Sequence, residues 1–205
     1  MNDEVARRLV HASGAILPTA WVVGQLDAVP ELPWQVVRYV LVLGTVVALG
    51  LEVVRLFVGL DWAIFEKLTR EYEQENLAGY ALYIIGGTFA GLLFTPVVAV
   101  PAMYMLTIGD PISGLLGSDE LRRVKPARVL GTMFVVSFAF ALPFLPLTAA
   151  VAAAVAATLA DGVKPVVATY VIDDNITIPI LASVTAAVVL VATGEPVEAV
   201  VTAVA

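Results

Sequence analysis

Cysteine is absent from this 205-residue chain. That excludes a disulfide framework, a thiolate metal site and a cysteine nucleophile. Histidine occurs once, at His11, so a multi-histidine metal site is excluded as well. Lysine is scarce: Lys67, Lys125 and Lys164 are its only occurrences. The formal net charge is −7. A nucleic-acid partner asks for a basic surface, so this balance argues against one. Excess acid in an Ala- and Val-rich chain fits a halophilic source. Charge of either sign is missing from three stretches, Leu77 to Gly109, Val129 to Ala160 and Ile176 to Gly194.

What fills those stretches is apolar. The chain is 60% hydrophobic, with a mean hydropathy of +0.94, far above a soluble domain. Each of the first two runs would be roughly 48 Å long as one helix, against about 30 Å of hydrocarbon. Each is therefore read as a hairpin of two short spans, turning at Thr95-Pro96 and between Pro143 and Pro146. The expected fold is all-α: one domain, 1–205, forming a polytopic membrane bundle of about seven transmembrane helices. The spans are placed near 9–26, 34–55, 77–94, 96–109, 129–146, 147–161 and 176–194. No small-residue cleavage site follows Met1 to Arg8, so the first segment is expected to be a retained span.

Asp61 to Asn76 is polar but patterned. Trp62, Phe65, Leu68 and Tyr72 recur at helical spacing, which predicts an amphipathic helix lying at the cytoplasmic interface. With Met1 in the cytoplasm, of the eleven basic residues only Arg38 falls near the outer end. The positive-inside rule thus supports a multi-pass cell-membrane protein with its polar clusters facing the cytoplasm.

Four clusters on that side could carry chemistry. Arg7, Arg8 and His11 lead into the first span, as topological charges or as ligand contacts. Glu52 and Arg55 stand at i, i+3 on one helical face and can pair; they would brace the membrane edge or position a phosphate. The third cluster is Gly109-Asp110-Pro111, with Gly114 and Gly117 following. Asp110 ends an apolar span, as a turn residue or as a Mg²⁺ ligand with backbone N–H groups nearby for phosphate oxygens. Arg122, Arg123, Lys125 and Arg128 follow, a topological run that beside Asp110 reads as a phosphate clamp. No Walker A loop is present. The fourth cluster holds Asp161, Lys164, Asp173, Asp174 and Asn175. Asn175 could cap the last span by accepting from Thr177 or Ile178. Asp173 and Asp174 bring hard oxygen ligands to a membrane surface, which points to Mg²⁺ (or Mn²⁺) and a phosphorylated substrate.

The order Arg-Arg-Leu-Val-His, Glu-x-x-Arg, Gly-Asp-Pro-x-x-x-x-x-Gly and Asp-Asn-Ile-Thr-Ile-Pro resembles the polyprenol kinase group. That group includes dolichol kinase, phytol kinase and the CTP-dependent diacylglycerol kinase of fungal type, and it is related to phosphatidate cytidylyltransferases. The resemblance runs from about Arg7 to Pro179, and its most specific match is Asp174 to Pro179. It implies a membrane lipid kinase that moves a phosphoryl group from a nucleotide, CTP, to a long-chain isoprenoid alcohol. It maps Asp110, Asp174 and Asn175 onto the family's acidic motifs, and Arg8 and His11 onto its early basic motif. Asp110, Asp173 and Asp174 would hold the metal. Arg122, Arg123, Lys125, Arg128 and Lys164 would neutralise phosphate oxygens. One motif departs: Lys125 stands two positions earlier than the family's lysine before Gly131-Thr132, which leaves that charge to Lys125 or Arg128. The cytidylyltransferase signature ending in Ser-x-x-Asp-Arg is absent. A cytidylyltransferase making a CDP-lipid is the rival enzyme. A transporter using Asp173 and Asp174 as an ion site is the rival of another class. The sequence carries no signal of oligomeric state.

Overall fold

The computed structural model describes residues 3–26, 29–58, 69, 73–74, 76–117, 124–163, 165–167 and 170–201. The expected amphipathic helix over 61–76 lies mostly outside them, as do Arg122, Arg123 and Lys164. The described chain is helical. In order come α1 (Asp3–Ser13), α2 (Ile16–Val23), α3 (Trp34–Val58), α4 (Gly79–Leu93), α5 (Pro96–Leu115), α6 (Ala127–Ala141), α7 (Leu147–Gly162) and α8 (Asp174–Ala192). A two-residue antiparallel ladder, Val166–Val167 against Tyr170–Val171, sits between α7 and α8.

Proline starts several of the apolar helices. Pro33, Pro126 and Pro146 stand just before α3, α6 and α7 with φ of −60°, −59° and −54° and extended ψ. The ring fixes φ, and a residue outside the helix loses nothing by lacking an N–H. Pro96 occupies the first turn of α5, where its missing N–H would have had no partner. Both expected hairpin turns are found, between Leu93 and Pro96 and between Ala141 and Leu147.

Hydrogen bonds set the helix directions. Trp34 Nε1, at the start of α3, donates to Gly91 O near the end of α4 (3.2 Å). Arg38 Nη2 donates to Leu92 O (3.3 Å), where a cation suits the carbonyl end of a helix. Near the other end of α3, Glu52 accepts from Ala78 N (3.0 Å) just before α4 begins. The two helices are therefore antiparallel. Lys125 N, before α6, donates to Gly162 O at the end of α7 (3.0 Å), and the α6–α7 turn lies at the opposite end. At that opposite end Thr95 N donates to Val200 O (3.0 Å), tying the C-terminal segment over the α4–α5 turn.

Small residues let the central helices approach closely. Ala149, Ala150, Ala153, Ala154, Ala157 and Ala160 of α7 are buried between α6 and α8. On the α4–α8 seam a Cβ at Gly86 would lie 2.7 Å from both Asn175 O and Pro179 Cγ, so only glycine fits. The outermost helix α3 buries one stripe, Trp34, Val37, Leu41, Ala48 and Glu52. Tyr39, Leu43, Val46 and Val47 on its other face are exposed. Trp34–Val58, Pro96–Leu115 and Asp174–Ala192 are long and apolar enough to cross a membrane.

Candidate active site

One end of the bundle gathers charged residues from separate helices. Asp110 is delivered by an irregularity in α5. Pro111 has no N–H to give Thr107 O, and its ring would clash there, so Met105–Gly109 widens into a π turn. Asp110 N then bonds Met105 O, five residues back. Asp161 is the penultimate residue of α7, and Asp174 opens α8. Lys125 is held between α5 and α6 by its backbone bond to Gly162 O and by the bridge between Val124 and Val163.

Lys125 is the hub. Its Nζ lies 2.6 Å from Asp161 Oδ1, 3.3 Å from Asp174 Oδ2 and 3.8 Å from Asp110 Oδ1. Oxygens of the three carboxylates lie within 4.8 Å of one another. Ser113 Oγ donates to Asp161 Oδ2 (3.3 Å) and to the Asp110 carbonyl (3.1 Å). Asp161 is fully buried and Asp174 nearly so, whereas the side chains of Asp110 and Lys125 are 20% and 22% exposed. The cluster therefore opens to the surface along its Asp110–Lys125 edge. His11 joins that edge, with Nδ1 3.8 Å from Asp110 Oδ2. Tyr83 holds His11 by an edge-on ring contact and by donating to its carbonyl (2.9 Å).

Burial disfavours the charge on Lys125, but the carboxylates of Asp174, Asp110 and Asp161 outweigh it and raise its pKa above the ordinary lysine value. Three acids face one ammonium, so the cluster is richer in acid than in base. Oxygens on opposite sides of one Mg²⁺ are about 4.2 Å apart, close to the spacing here. The oxygens of Asp110, Asp161 and Asp174 could hold a metal ion, with Asp110 on the open edge.

The expected residues divide. Asp110, Asp174 and Lys125 converge, with His11 beside them. Arg8 lies against α5, its Cζ 3.5 Å from where a Cβ on Gly114 would be. Asp173, expected beside them as a metal ligand, lies outside the group formed by Asp110, Asp161 and Asp174. It is the N-cap of α8, its Oδ1 accepting from Asn175 N (2.9 Å) and Asn175 Nδ2 (2.6 Å). Asn175 is therefore not the cap either. Its side chain is buried beside Gly79, and its Oδ1 has no hydrogen-bond partner among the described residues. Arg128 is exposed on α6, which leaves Lys125 as the cation of the cluster among the described residues.

Glu52 and Arg55 form a network of their own. Glu52, 2% exposed, accepts from Arg55, Tyr80 and Ala78 N, and Arg55 donates to the carbonyls of Glu73, Gln74 and Asn76. These bonds pin the chain entering α4 to the end of α3. They are all internal, so the bracing role is the one the structure supports.

Sequence reasoning places Asp161 in the fourth cluster without giving it a role in the site, and it misses Ser113. Asp161 ends an uncharged run as Asp110 does, and that signal was available. The expected span 147–161 ends at this residue, one short of the observed helix end at Gly162. Ser113 sits three residues after Asp110, on the same helical face. No family model, no curated protein and no solved structure matches this chain.

Proposed function

We propose that this chain is a multi-pass membrane lipid kinase that transfers the γ-phosphoryl group of a nucleotide, CTP, to a long-chain isoprenoid alcohol. The observation that carries the reading is the meeting of Asp110, Lys125, Asp161 and Asp174 at one end of an apolar bundle. A lipid alcohol keeps its chain in the bilayer and brings its hydroxyl to the surface, where a water-borne nucleotide can meet it. An edge that opens at the end of the helices suits both. The order of motifs shared with the polyprenol kinase group supplies the nucleotide and the acceptor.

The topology we propose has seven crossings with Met1 in the cytoplasm, α1 and α2 making the first; the alternating helix directions and the one-sided distribution of basic residues support it.

Phosphoryl transfer asks a protein for positioning and charge neutralisation. The alcohol oxygen bonds to the γ-phosphorus, the bond from that phosphorus to the β,γ-bridging oxygen breaks, and the nucleoside diphosphate leaves. The hydroxyl proton passes to a carboxylate at the open edge. Lys125 neutralises phosphate oxygen charge. Asp110 and Asp174 would hold Mg²⁺, which would supply Lewis-acid neutralisation of phosphate charge.

The test is transfer of label from γ-labelled CTP to a panel of lipid alcohols by purified protein with Mg²⁺. Label in the lipid phosphate supports the kinase. Incorporation of α-label instead would make the chain a cytidylyltransferase, and no transfer to any lipid would overturn both.

A further inference from the structure

We infer that Asp161 is a positioning residue that holds the Lys125 ammonium ready for a nucleotide phosphate, and that it is not a metal ligand. The inference rests on the kinase reading and adds to it a role for a residue outside the motifs of the sequence.

The geometry separates Asp161 from the other two acids. Both of its oxygens have partners, Lys125 Nζ on Oδ1 (2.6 Å) and Ser113 Oγ on Oδ2 (3.3 Å). It is fully buried, while Asp110 opens to the surface. A cation entering from the open edge meets Asp110 first and takes Asp174 in exchange for its longer 3.3 Å contact with Lys125, leaving the 2.6 Å Asp161–Lys125 pair in place.

Lys125 is tied to α7 twice. Its backbone N–H donates to Gly162 O and its ammonium to Asp161, so two consecutive residues fix both ends of one side chain. A lysine on a free loop would have to be immobilised when the nucleotide binds. Here that ordering is completed when the protein folds, so the site is preorganised. An ammonium has three donors. Asp161 and Asp174 take two. Asp110, at 3.8 Å, is beyond hydrogen-bond distance. One N–H therefore remains for an incoming oxygen along the Asp110–Lys125 edge. Ser113 completes the arrangement by fixing the Asp161 carboxylate from α5, the helix that carries Asp110.

The experiment is a double-mutant cycle read by binding as well as by turnover. Equilibrium binding of CTP and of inorganic pyrophosphate is measured in nanodiscs, in EDTA and in Mg²⁺, for the wild type, D161N, K125A and the double variant. Mn²⁺ affinity is measured directly by electron paramagnetic resonance for the wild type, D161N and D110N. If Asp161 acts through Lys125, D161N weakens CTP and pyrophosphate binding about tenfold, and adds less than about twofold once Lys125 is alanine. In turnover, D161N raises the nucleotide KM and leaves kcat within about threefold. Mn²⁺ affinity stays within about twofold in D161N and falls at least about tenfold in D110N.

S113A, a milder change, follows D161N in the same direction with a smaller effect, and decides the matter if D161N does not fold. Multiplicative losses in the cycle overturn the inference. So does a fall in Mn²⁺ affinity in D161N matching that in D110N, or a wild type that binds neither CTP nor pyrophosphate. Binding that follows the cycle without γ-label transfer would defeat the kinase reading alone.

Discussion

Asp110 and Asp174, on different helices, bring carboxylate oxygens within 4.8 Å of each other. Two like charges at that separation repel unless a cation lies between them, and Lys125 Nζ does, 3.8 Å from one and 3.3 Å from the other. One lysine against three acids leaves the pair short of positive charge, and a divalent ion would supply it.

Asp174→Asn should therefore abolish γ-label transfer, with a loss of at least about a hundredfold, because an amide brings no negative charge to Mg²⁺. The fold should survive. The substitution relieves acid–acid repulsion and keeps a carbonyl oxygen that can accept from Lys125. Transfer assays beside melting curves of the same preparations check this. Near-wild-type transfer in a well-folded variant would remove Asp174 from the metal site.

Lys125→Met removes the positive charge and leaves Asp161 buried without it. The expected cost lies toward the lower end of roughly 3–5 kcal/mol, since the lysine side chain is 22% exposed. The folded-state pKa of Lys125 is raised, so its contribution is fully present below the unfolded lysine value and is lost only as pH climbs through the folded one. The melting-temperature gap between wild type and variant should thus persist at about pH 9 and close only above about pH 10.4. A gap that vanished near neutrality would show that this ammonium is not held by the acids. Mg²⁺ should stabilise the variant more than the wild type.

Glu52→Gln should behave as a structural lesion. It removes the carboxylate that accepts two hydrogen bonds from Arg55, at a cost of about 3–5 kcal/mol for a broken buried pair. Denaturation midpoints should fall, while the folded fraction keeps its nucleotide KM. A raised KM with unchanged stability would return the pair to the phosphate site.

Gly86→Ala should cost about 1–3 kcal/mol by overpacking, because the new methyl meets Asn175 O and Pro179 Cγ, neither of which can swing away. The α4–α8 seam would part beside Asp174. Gly131→Ala is the control, since nothing lies within 4 Å of its added carbon. Equal melting temperatures for the two variants would refute the close approach.

The proposed seven crossings would put the two ends of the chain on opposite faces. Tags at each end, read for protease accessibility in sealed vesicles, should report different sides. Two tags on the same side would require an even number of crossings.

Much of this was decided locally. Uncharged runs bounded by acids put Asp110 and Asp174 at the ends of apolar segments, because a carboxylate cannot remain deep in one, although the helix carrying Asp110 runs on to Leu115. Proline placed the turns, since it removes a donor and fixes φ wherever it stands. The i, i+3 spacing paired Glu52 with Arg55 before any fold was known. What the sequence could not decide was which of the remaining charges meet. Asp173 and Asp174 are neighbours of the same chemistry, yet one caps its helix and the other faces Lys125, because successive residues at a helix start point about 100° apart. Lys125 became the hub, and Arg128 did not, through a backbone pairing with the end of α7 that no local spacing encodes. Asp161 entered the site for the same reason. Its position depends on small residues along α6, α7 and α8 letting those helices close together, and on the π turn that re-aims Asp110 toward them. Helix ends follow from the solvation of single residues, whereas the identity of a charge's partner follows from how helices distant in sequence pack.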